Sequence, residues 1–420
     1  MGKTIIKGGT VYYNGTFQCL DIAICRGIVC EICEDISPSA ENKLIDAAGL
    51  LVLPSFVDMH CHLRDPGFTH KENIESGLKS AIAGGFTTVC CMPNTNPVID
   101  STEILEYIIN TAKLFGIADL LPIAAITKNM DGTELVDFSK LSRYAVAFSD
   151  DGKCLKNSNL MTKGTLLADE HGKFLISHCE DDYLLDSAAT DGRFSKLAED
   201  IIVAREIAIA GNFDKHIHLA HVSTKHSVSL IRNAKKEGIK VTAETCPHYF
   251  SLTSQDIDEH GTNAKINPPL RNDADRIAII KGIEDGTIDV IATDHAPHTK
   301  EEKDQNFLLA PSGIIGFETA FALSYTELCK KYKLPLERVV DALTNVPAKI
   351  LSADTGKIAL NKPADLAIVD INNPYVYKNE NIVSMSKNTP FVGKKLHGKV
   401  VYTIYKGEIV YSNKEDLQSE

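Results

Sequence analysis

The sequence predicts an α/β protein: a (β/α)8 TIM barrel with a small β-sandwich domain formed by both chain termini. In the middle of the chain, eight short apolar runs alternate with polar loops and amphipathic stretches. Alternating strands and helices indicate a parallel sheet, and eight units favour a closed barrel over an open sheet. The eight runs are Leu51–Met59, Thr87–Met92, Leu120–Ile126, Ala145–Phe148, Phe174–Ser177, His216–Ala220, Lys240–Glu244 and Val290–Thr293. The helix-like stretches between them include Asn73–Ala83, Ser101–Phe115 and Ile201–Gly211.

The two ends of the chain lack this alternation and read as β-structure. Short apolar runs broken by Gly and Asn, such as Asp21–Ile24 near the start and Lys399–Tyr405 near the end, are typical of strands between turns. We therefore expect residues 1–55 and 357–420 to pair in one small sandwich domain. Residues 56–356 would then form the barrel domain.

Composition excludes several kinds of partner. The 420 residues include 56 acidic and 44 basic side chains, a net charge of −12, and 44% hydrophobic residues, enough for a sizeable core. Such an acidic chain argues against nucleic acid or an anionic membrane surface as the main partner. No run reaches ~18 apolar residues and the N-terminus lacks an apolar signal region, which predicts a cytoplasmic protein without a membrane span.

The eleven cysteines are expected to be free thiols in a reducing compartment. Cys30 and Cys33 form a lone CxxC pair, and no second pair completes a zinc site with them. We interpret this pair as structural.

Polar side chains follow the predicted strands, at the rim where barrel enzymes carry their active residues. His60 and His62 follow the first run. Residues two apart in a strand project to the same side, so both imidazoles can point at one metal ion. Alone this pair is weak evidence, because histidine pairs also occur in ordinary hydrogen-bond networks.

Other strand ends strengthen the interpretation. The fourth run is followed by Asp150 and Asp151, the fifth by His178, the sixth by His221 and the eighth by Asp294. Five of the eight predicted strands thus bring a histidine or a carboxylate to the same rim. This convergence predicts a two-metal hydrolytic site, whose nitrogen and oxygen ligands suit zinc and are compatible with other divalent ions.

Two longer motifs resemble a known family. The stretches DMHCHLRDPG and ATDHAPH, in this order, resemble the two signatures of dihydroorotases, which belong to the amidohydrolase superfamily. Shorter pieces agree with them, namely MPNT, SHCED, AHVST and NPPLR. The segment TGKIALNKPADLAIVD resembles the one by which amidohydrolases return to their small β domain. The resemblance covers nearly the whole chain.

The fourth strand distinguishes branches of this superfamily. Hydantoinases and dihydropyrimidinases place a carboxylated lysine there as the metal bridge, whereas no lysine precedes Gly152 in this sequence. The chain looks like the dihydroorotase group that uses an aspartate instead. Asp151 is the predicted bridging ligand and Asp150 the alternative. A carboxylate is shorter than a carboxylated lysine, so the second metal would be held less firmly or be partly absent, and one or two zinc ions per chain are expected.

The resemblance implies a role for each predicted ligand. One metal would be held by His60, His62, Asp151 and Asp294. His178 and His221 would hold the second, with Asp151 and a hydroxide shared between the two metals. Asp294 would also take the proton from the attacking hydroxide and pass it to the departing amide nitrogen.

The implied substrates are dihydroorotate and N-carbamoyl-aspartate. Arg64 would bind the ring carboxylate in a bidentate manner through its planar guanidinium group. Alternatively, it could form a surface ion pair with Asp65. By resemblance, Asn94 and His298 complete this grip, and Asn267 helps to line the pocket. Asn94 has the alternative of a turn or capping role. Allantoinases usually carry asparagine where Arg64 stands.

Several nearby features stay outside the predicted ligand set. His248, at the end of the seventh run, is expected to pack or hydrogen-bond, and His295 to point away from Asp294. The loop 310–318 should border the substrate, either as a moving lid or as a rigid turn.

The sequence leaves two rival functions and two possible partners. The rival functions are a hydantoinase or allantoinase and a non-catalytic partner of aspartate transcarbamoylase. Arg64 and the missing lysine of the fourth strand argue against the first, and the six ligand candidates argue against the second. A homodimer is the family-level expectation for assembly, and an active enzyme is also compatible with association with aspartate transcarbamoylase.

Overall fold

The computed structural model describes residues 3–187 and 192–413 and contains eight parallel strands that alternate with helices. The first three strands pair in one sheet and the next five in another, in chain order. Isolated parallel bridges join Ala124 to Phe148 and Cys61 to His295, so each end of one sheet contacts the other. The strands are Phe56–Cys61, Phe86–Cys91, Asp119–Pro122, Phe148–Ser149, Leu175–Ser177, Ile217–Leu219, Val241–Thr245 and Val290–Ile291.

Helices follow most of these strands, and some of them begin with a side-chain cap. The Asn73 side chain accepts from the Ser76 backbone N–H, and the Thr224 side chain accepts from that of Ser227. The α-helices are Ile74–Ala83, Thr102–Phe115, Phe138–Leu141, Ser158–Glu170, Asp182–Ser187, Gly192–Phe213, Lys225–Lys236, Pro247–Ser251, Ile257–His260, Asp273–Glu284, Lys300–Lys303, Ala320–Leu323, Leu336–Leu343 and Asn345–Ile350. A π-helix covers Ser324–Lys331, and 3-10 turns cover Lys128–Met130, Ser254–Asp256, Gly261–Ala264, Phe317–Thr319 and Asn379–Asn381.

Both chain ends contribute strands to one eight-stranded sheet. The early strand Leu51–Pro54 lies in its middle, between Thr4–Tyr13 on one side and Leu366–Asp370 on the other. The remaining strands of this sheet are Thr16–Cys25, Ile28–Cys33, Lys43–Asp46, Lys399–Tyr405 and Glu408–Ser412. Tyr375–Val376 and Lys395–Leu396 form a separate two-stranded sheet. Residues 414–420 of the predicted terminal domain lie outside the described residues.

The run Leu51–Met59, predicted as one strand, is two strands in different sheets. Leu51–Pro54 pairs with the C-terminal part of the chain, whereas Phe56–Cys61 pairs with Phe86–Cys91. Every residue of both strands is buried, so the apolar run continues across the change of sheet and hides it.

The two sets of parallel strands share a core. One buried apolar cluster takes Val57 and Cys90 from the first set and Ile176 and Val290 from the second. Within the described ranges, the structure contains no helix with the length and apolar character that crossing a membrane requires.

The expectation that every cysteine is a free thiol was wrong for two of them. Cys25 and Cys30, on neighbouring strands of the terminal sheet, form a disulfide with a Cα–Cα distance of 5.8 Å. Antiparallel pairing brings Cys25 opposite Ile28, close enough for this bond. Cys33 is free, and the other eight cysteines are free thiols too.

Candidate two-metal site and substrate pocket

All six predicted ligands lie at the ends of parallel strands and come together. His60 is in the first strand, and the other five follow the first, fourth, fifth, sixth and eighth strands. All six side chains are buried. Five of them line one pocket, namely His62, Asp151, His178, His221 and Asp294. The six residues therefore lie together at the strand ends, where the sequence predicted them.

Asp151 lies at the centre of two groups of donor atoms. In one group it joins His60 and His62, and in the other it joins His178 and His221, with donor atoms within 4.8 Å of one another. Asp151 Oδ1 is 3.4 Å from His60 Nε2, from His178 Nδ1 and from His221 Nε2. Its Oδ2 is 3.5 Å from His62 Nε2. A carboxylate in this position can bridge two ions.

Buried atoms without partners indicate where ions fit. Among the described residues, His60 Nε2 and Asp151 Oδ1 have no hydrogen-bond partner although both are buried. His178 Nδ1 and His221 Nε2 face each other at 2.9 Å. Unpaired buried polar atoms are costly, and two divalent ions, one in each group, would give all four atoms a partner. Imidazole and carboxylate donors fit zinc chemistry, so the residues present fit the metal pair that the fold implies.

The neighbouring Asp150 is occupied elsewhere. Its Oδ1 accepts from the backbone N–H groups of Ile126 and Thr127 at 2.8 and 3.1 Å, and its Oδ2 accepts from the Thr127 hydroxyl at 2.5 Å. Asp150 thus ties the fourth strand to the loop after the third. These bonds favour Asp151 as the ligand between the two candidates.

Asp294 joins the same centre from the eighth strand. Its Oδ1 is 3.1 Å from His62 Nε2 and 3.6 Å from His60 Nε2. The backbone of Asp294 is left-handed, with a φ of 46°. This backbone conformation is energetically unfavourable for a non-glycine residue. Here it turns the carboxylate toward the histidines.

Charges within the centre oppose the effect of burial on pKa. Burial alone would lower the pKa of His60, but the carboxylates of Asp151 and Glu244 raise it well above its usual value. Burial would likewise raise the pKa of Asp151, but His60, His178 and His221 hold it well below its usual value. Asp151 is therefore a carboxylate at neutral pH, as a metal ligand must be.

A second set of residues orients the histidine rings, and sequence analysis did not assign this role. Glu244 is fully buried and accepts from His60 Nδ1 at 2.6 Å. Asn94 Oδ1 accepts from His62 Nδ1 at 2.9 Å. Each contact leaves Nε2 of that ring pointing at Asp151.

Glu180 lies beside His178 in an ion-pair contact, although neither of its oxygens has a hydrogen-bond partner among the described residues. Its Oε2 lies 3.4 Å from His178 Nε2, and Nδ1 of this ring faces Asp151.

Glu244 could have been predicted from the sequence if the last residues inside each apolar run had been read as well as those that follow it. It stands near the end of the seventh strand, where only the later His248 was considered.

Arg64 and His298 lie side by side at the pocket. Arg64 Nη2 is 3.1 Å from His298 Nε2, and Arg64 Nε donates to the Pro297 carbonyl at 3.1 Å. Burial and the charges of Arg64 and Lys71 lower the pKa of His298 to about 2, so its ring is neutral. The only charge that this pair presents to the pocket at neutral pH is the guanidinium.

Asn94 and Asn267 also line the pocket, beside Gly313. The structure thus brings all four predicted substrate residues to the same place as the ligands. Asn94 contacts His62, and its Nδ2 donates to the Asp151 carbonyl at 3.4 Å. Its contact with substrate stays a prediction, as do those of the other three.

The loop 310–318 is tied down at several points. Lys303 Nζ donates to the carbonyls of Pro311 and Gly313 at 2.9 and 3.0 Å, and Asn388 Nδ2 donates to Gly313 at 3.0 Å. The Ile314 carbonyl accepts from the Ala296 N–H at 2.8 Å. These contacts favour a rigid turn over a moving lid.

His295 and His248, the two histidines predicted to lie outside the ligand set, have different surroundings. His295 points away from Asp294 as predicted: its Nδ1 accepts from the Gly316 N–H at 3.1 Å and its ring stacks on Phe317. His248 packs against Tyr249, with ring centroids 4.3 Å apart. The described residues give its buried Nε2 no hydrogen-bond partner.

Comparison with known proteins agrees with this site. The sequence model of the amidohydrolase family matches residues 51–410. A dihydroorotase of Acetivibrio thermocellus is 46% identical, over 98% of this chain and 99% of that protein. A dihydroorotase of Ruminiclostridium cellulolyticum is 45% identical, over 98% and 99%.

Solved structures show the same fold. An L-hydantoinase (dihydropyrimidinase) from Arthrobacter aurescens matches with a TM-score of 0.87 at 24% identity, covering 98% of this chain and 96% of that one. A dihydropyrimidinase from Brevibacillus agri matches with a TM-score of 0.85, also at 24% identity, over 98% and 95%. At this identity the likeness concerns the fold alone. The family model and the full-length sequence relatives show that the chain belongs to the amidohydrolase family, among its dihydroorotases.

Proposed function

We propose that this protein hydrolyses (S)-dihydroorotate reversibly to N-carbamoyl-L-aspartate, the dihydroorotase step of de novo pyrimidine (UMP) biosynthesis. The observation that carries this proposal is the position of Arg64, which lines the same pocket as Asp294 and four of the other five predicted metal ligands. A cation beside a hydrolytic site suits a cyclic amide that bears a carboxylate. The full-length relatives, at about 45% identity, carry this activity in their names.

The site would hold two zinc ions. His60, His62, Asp151 and Asp294 would hold one, and His178, His221 and the shared Asp151 the other. When bound, such ions lower the pKa of water from about 15.7 to roughly 7 and polarise a carbonyl. The hydrogen bonds of the ring nitrogens with Glu244 and Asn94 support this arrangement, because they pre-orient two of the four histidines.

Asp294 would move the proton. Burial would raise its pKa, but His62 and His60 lower it below its usual value, so the carboxylate is ionised and able to accept a proton. It would take the proton from the attacking hydroxide and deliver it to the ring nitrogen that leaves. Ring closure would use the same groups in reverse.

Arg64 would bind the ring carboxylate in a bidentate manner. Its neighbour His298 is neutral and its backbone N–H is held by Asn388 at 3.0 Å, so it can orient the substrate without adding charge. Asn94 and Asn267 would complete the pocket wall. A neutral ring would leave the Arg64 guanidinium without a counter-charge, which argues against a hydantoinase or allantoinase.

We also infer that the eight strands close into a (β/α)8 barrel and that the terminal sheet forms the predicted small sandwich domain. The bridges from Ala124 to Phe148 and from Cys61 to His295 support closure. The division into 1–55 with 357–420 and 56–356 would place every ligand in one domain. A homodimer, association with aspartate transcarbamoylase and a cytoplasmic location stay predictions.

Comparing four cyclic amides tests the substrate. Dihydroorotate, dihydrouracil, hydantoin and allantoin would be compared at equal metal content by kcat/KM. We expect dihydroorotate to be preferred by about a hundredfold or more, because a site built around a charged partner rejects analogues that lack it. Preference for any of the neutral rings would refute the assignment.

A further inference from the structure

We propose that Cys246, His248 and Asp294 form a third metal site, which a zinc-class divalent ion occupies when metal is in excess and which then inhibits the enzyme. The inhibitory effect rests on the proposed function, because it acts through Asp294. The existence of the site does not rest on it.

The three donors lie close together and are buried. Their ligand atoms are all within 4.8 Å of one another. Cys246 directly follows the strand Val241–Thr245, and His248 lies in the first turn of the helix Pro247–Ser251. One thiol, one imidazole and one carboxylate suit zinc or cobalt, whereas magnesium and calcium prefer oxygen ligands alone.

Two of these donors lack any other partner. His248 is 2% exposed, and among the described residues its Nε2 has no hydrogen-bond partner. The Cys246 thiol is fully buried and has none among them either. By contrast, the Cys61 thiol donates to the Cys90 carbonyl at 3.2 Å and the Cys179 thiol to Ser177 at 3.4 Å. A buried unpaired imidazole nitrogen costs stability, and a metal ion would satisfy it.

Sharing Asp294 gives the site its consequence. One oxygen of Asp294 lies 3.1 Å from His62 Nε2, within the two-metal centre. An ion held by Cys246 and His248 would draw on the same carboxylate. Asp294 would then bind a metal ion through each of its two oxygens, so neither oxygen would remain to accept a proton and turnover would fall as the third ion binds.

Cobalt(II) titration of the full-length metal-free protein tests the site without an activity assay. The two-metal centre has only nitrogen and oxygen ligands, so only a cysteine ligand can produce a thiolate-to-cobalt charge-transfer band in the near ultraviolet. We expect this band to grow with the third equivalent in the wild type and to be absent in Cys246→Ser and in His248→Gln. Cys179→Ser, a buried thiol beside the centre, is the matched control and should keep the band.

Zinc inhibition tests the consequence. Excess zinc should inhibit the wild type and Cys179→Ser, whereas Cys246→Ser should need about tenfold more zinc for the same inhibition. A wild type that takes up three equivalents without the band, or never more than two, would overturn the proposal. So would a band that persists in Cys246→Ser. A wild type with the band but no dihydroorotate turnover would uphold the third site and contradict the proposed function instead.

Discussion

At the residue scale, the site depends on which nitrogen each histidine presents. Imidazole can bind metal through either nitrogen, so a partner on the other nitrogen decides the geometry. Glu244 does this for His60 and Asn94 for His62. His60 and Glu244 are 184 positions apart in the chain. Ligand types could therefore be predicted from the strand ends, but this pairing could not, because it depends on how the strands assemble.

Glu244→Gln tests this orienting role. The substitution keeps the size of the side chain but removes the charge that faces the two histidines His60 and His218. We expect metal affinity to fall by about ten- to a hundredfold, as for other partners of metal-bound histidines. Competition with a chromophoric chelator measures it, with the exposed Glu237→Gln as control. Equal affinity in the two variants would rule the role out.

Arg64→Met tests carboxylate recognition. Hydrogen bonds to a charged group contribute about 1.5–3 kcal/mol, so KM for dihydroorotate should rise about ten- to a hundredfold, with a smaller change in kcat. Arg64→Lys should restore only part of the loss, since an ammonium group lacks the planar fork. An unchanged KM in steady-state kinetics would argue against the contact.

At the element scale, the predicted site residues lie at the strand ends, whereas the residues inside the strands are apolar and form the core. The apolar runs located all eight parallel strands within a few residues, because each is bounded by polar loops. They failed at Ser55, where a buried run passes from one sheet to the next. Strands that are buried on both faces lack the alternation of apolar and polar residues, so the sequence does not show where the chain passes from one sheet to the other.

Lys303→Met tests whether the loop 310–318 is a rigid wall. Lys303 is 3% exposed and donates to three backbone carbonyls, those of Lys265, Pro311 and Gly313. Its loss should raise amide hydrogen exchange in the loop and raise KM more than it lowers kcat. Lys300→Met, on the exposed face of the same short helix, serves as the control. Exchange that is already fast in the wild type would indicate a moving lid.

At the scale of the whole molecule, the terminal sheet and the parallel strands share buried surface. Tyr12 and Leu53 belong to the same apolar cluster as Phe56 and Phe86. The Thr403 hydroxyl donates to the Ile82 carbonyl at 2.6 Å, which adds a polar tie between sheet and helix. We therefore expect the two parts to unfold together.

Tyr12→Phe measures this coupling. The Tyr12 hydroxyl donates to Asp341 at 3.0 Å, from the terminal sheet to the helix Leu336–Leu343. Removing it should lower the free energy of unfolding by about 1–3 kcal/mol, because a partly buried carboxylate loses its partner. Urea unfolding followed by two probes should show one transition at lower urea, with turnover unchanged. Tyr13→Phe is the neighbouring control, and two separated transitions in the wild type would contradict the coupling.

Dihydroorotate hydrolysis by purified protein, with metal content quantified in the same sample, tests the central claim most directly. We predict turnover that is proportional to bound metal, disappears on chelation and returns when zinc restores about two ions per chain. Metal-replete protein without turnover, or full turnover after the metal is removed, would contradict the assignment of this site to dihydroorotate chemistry.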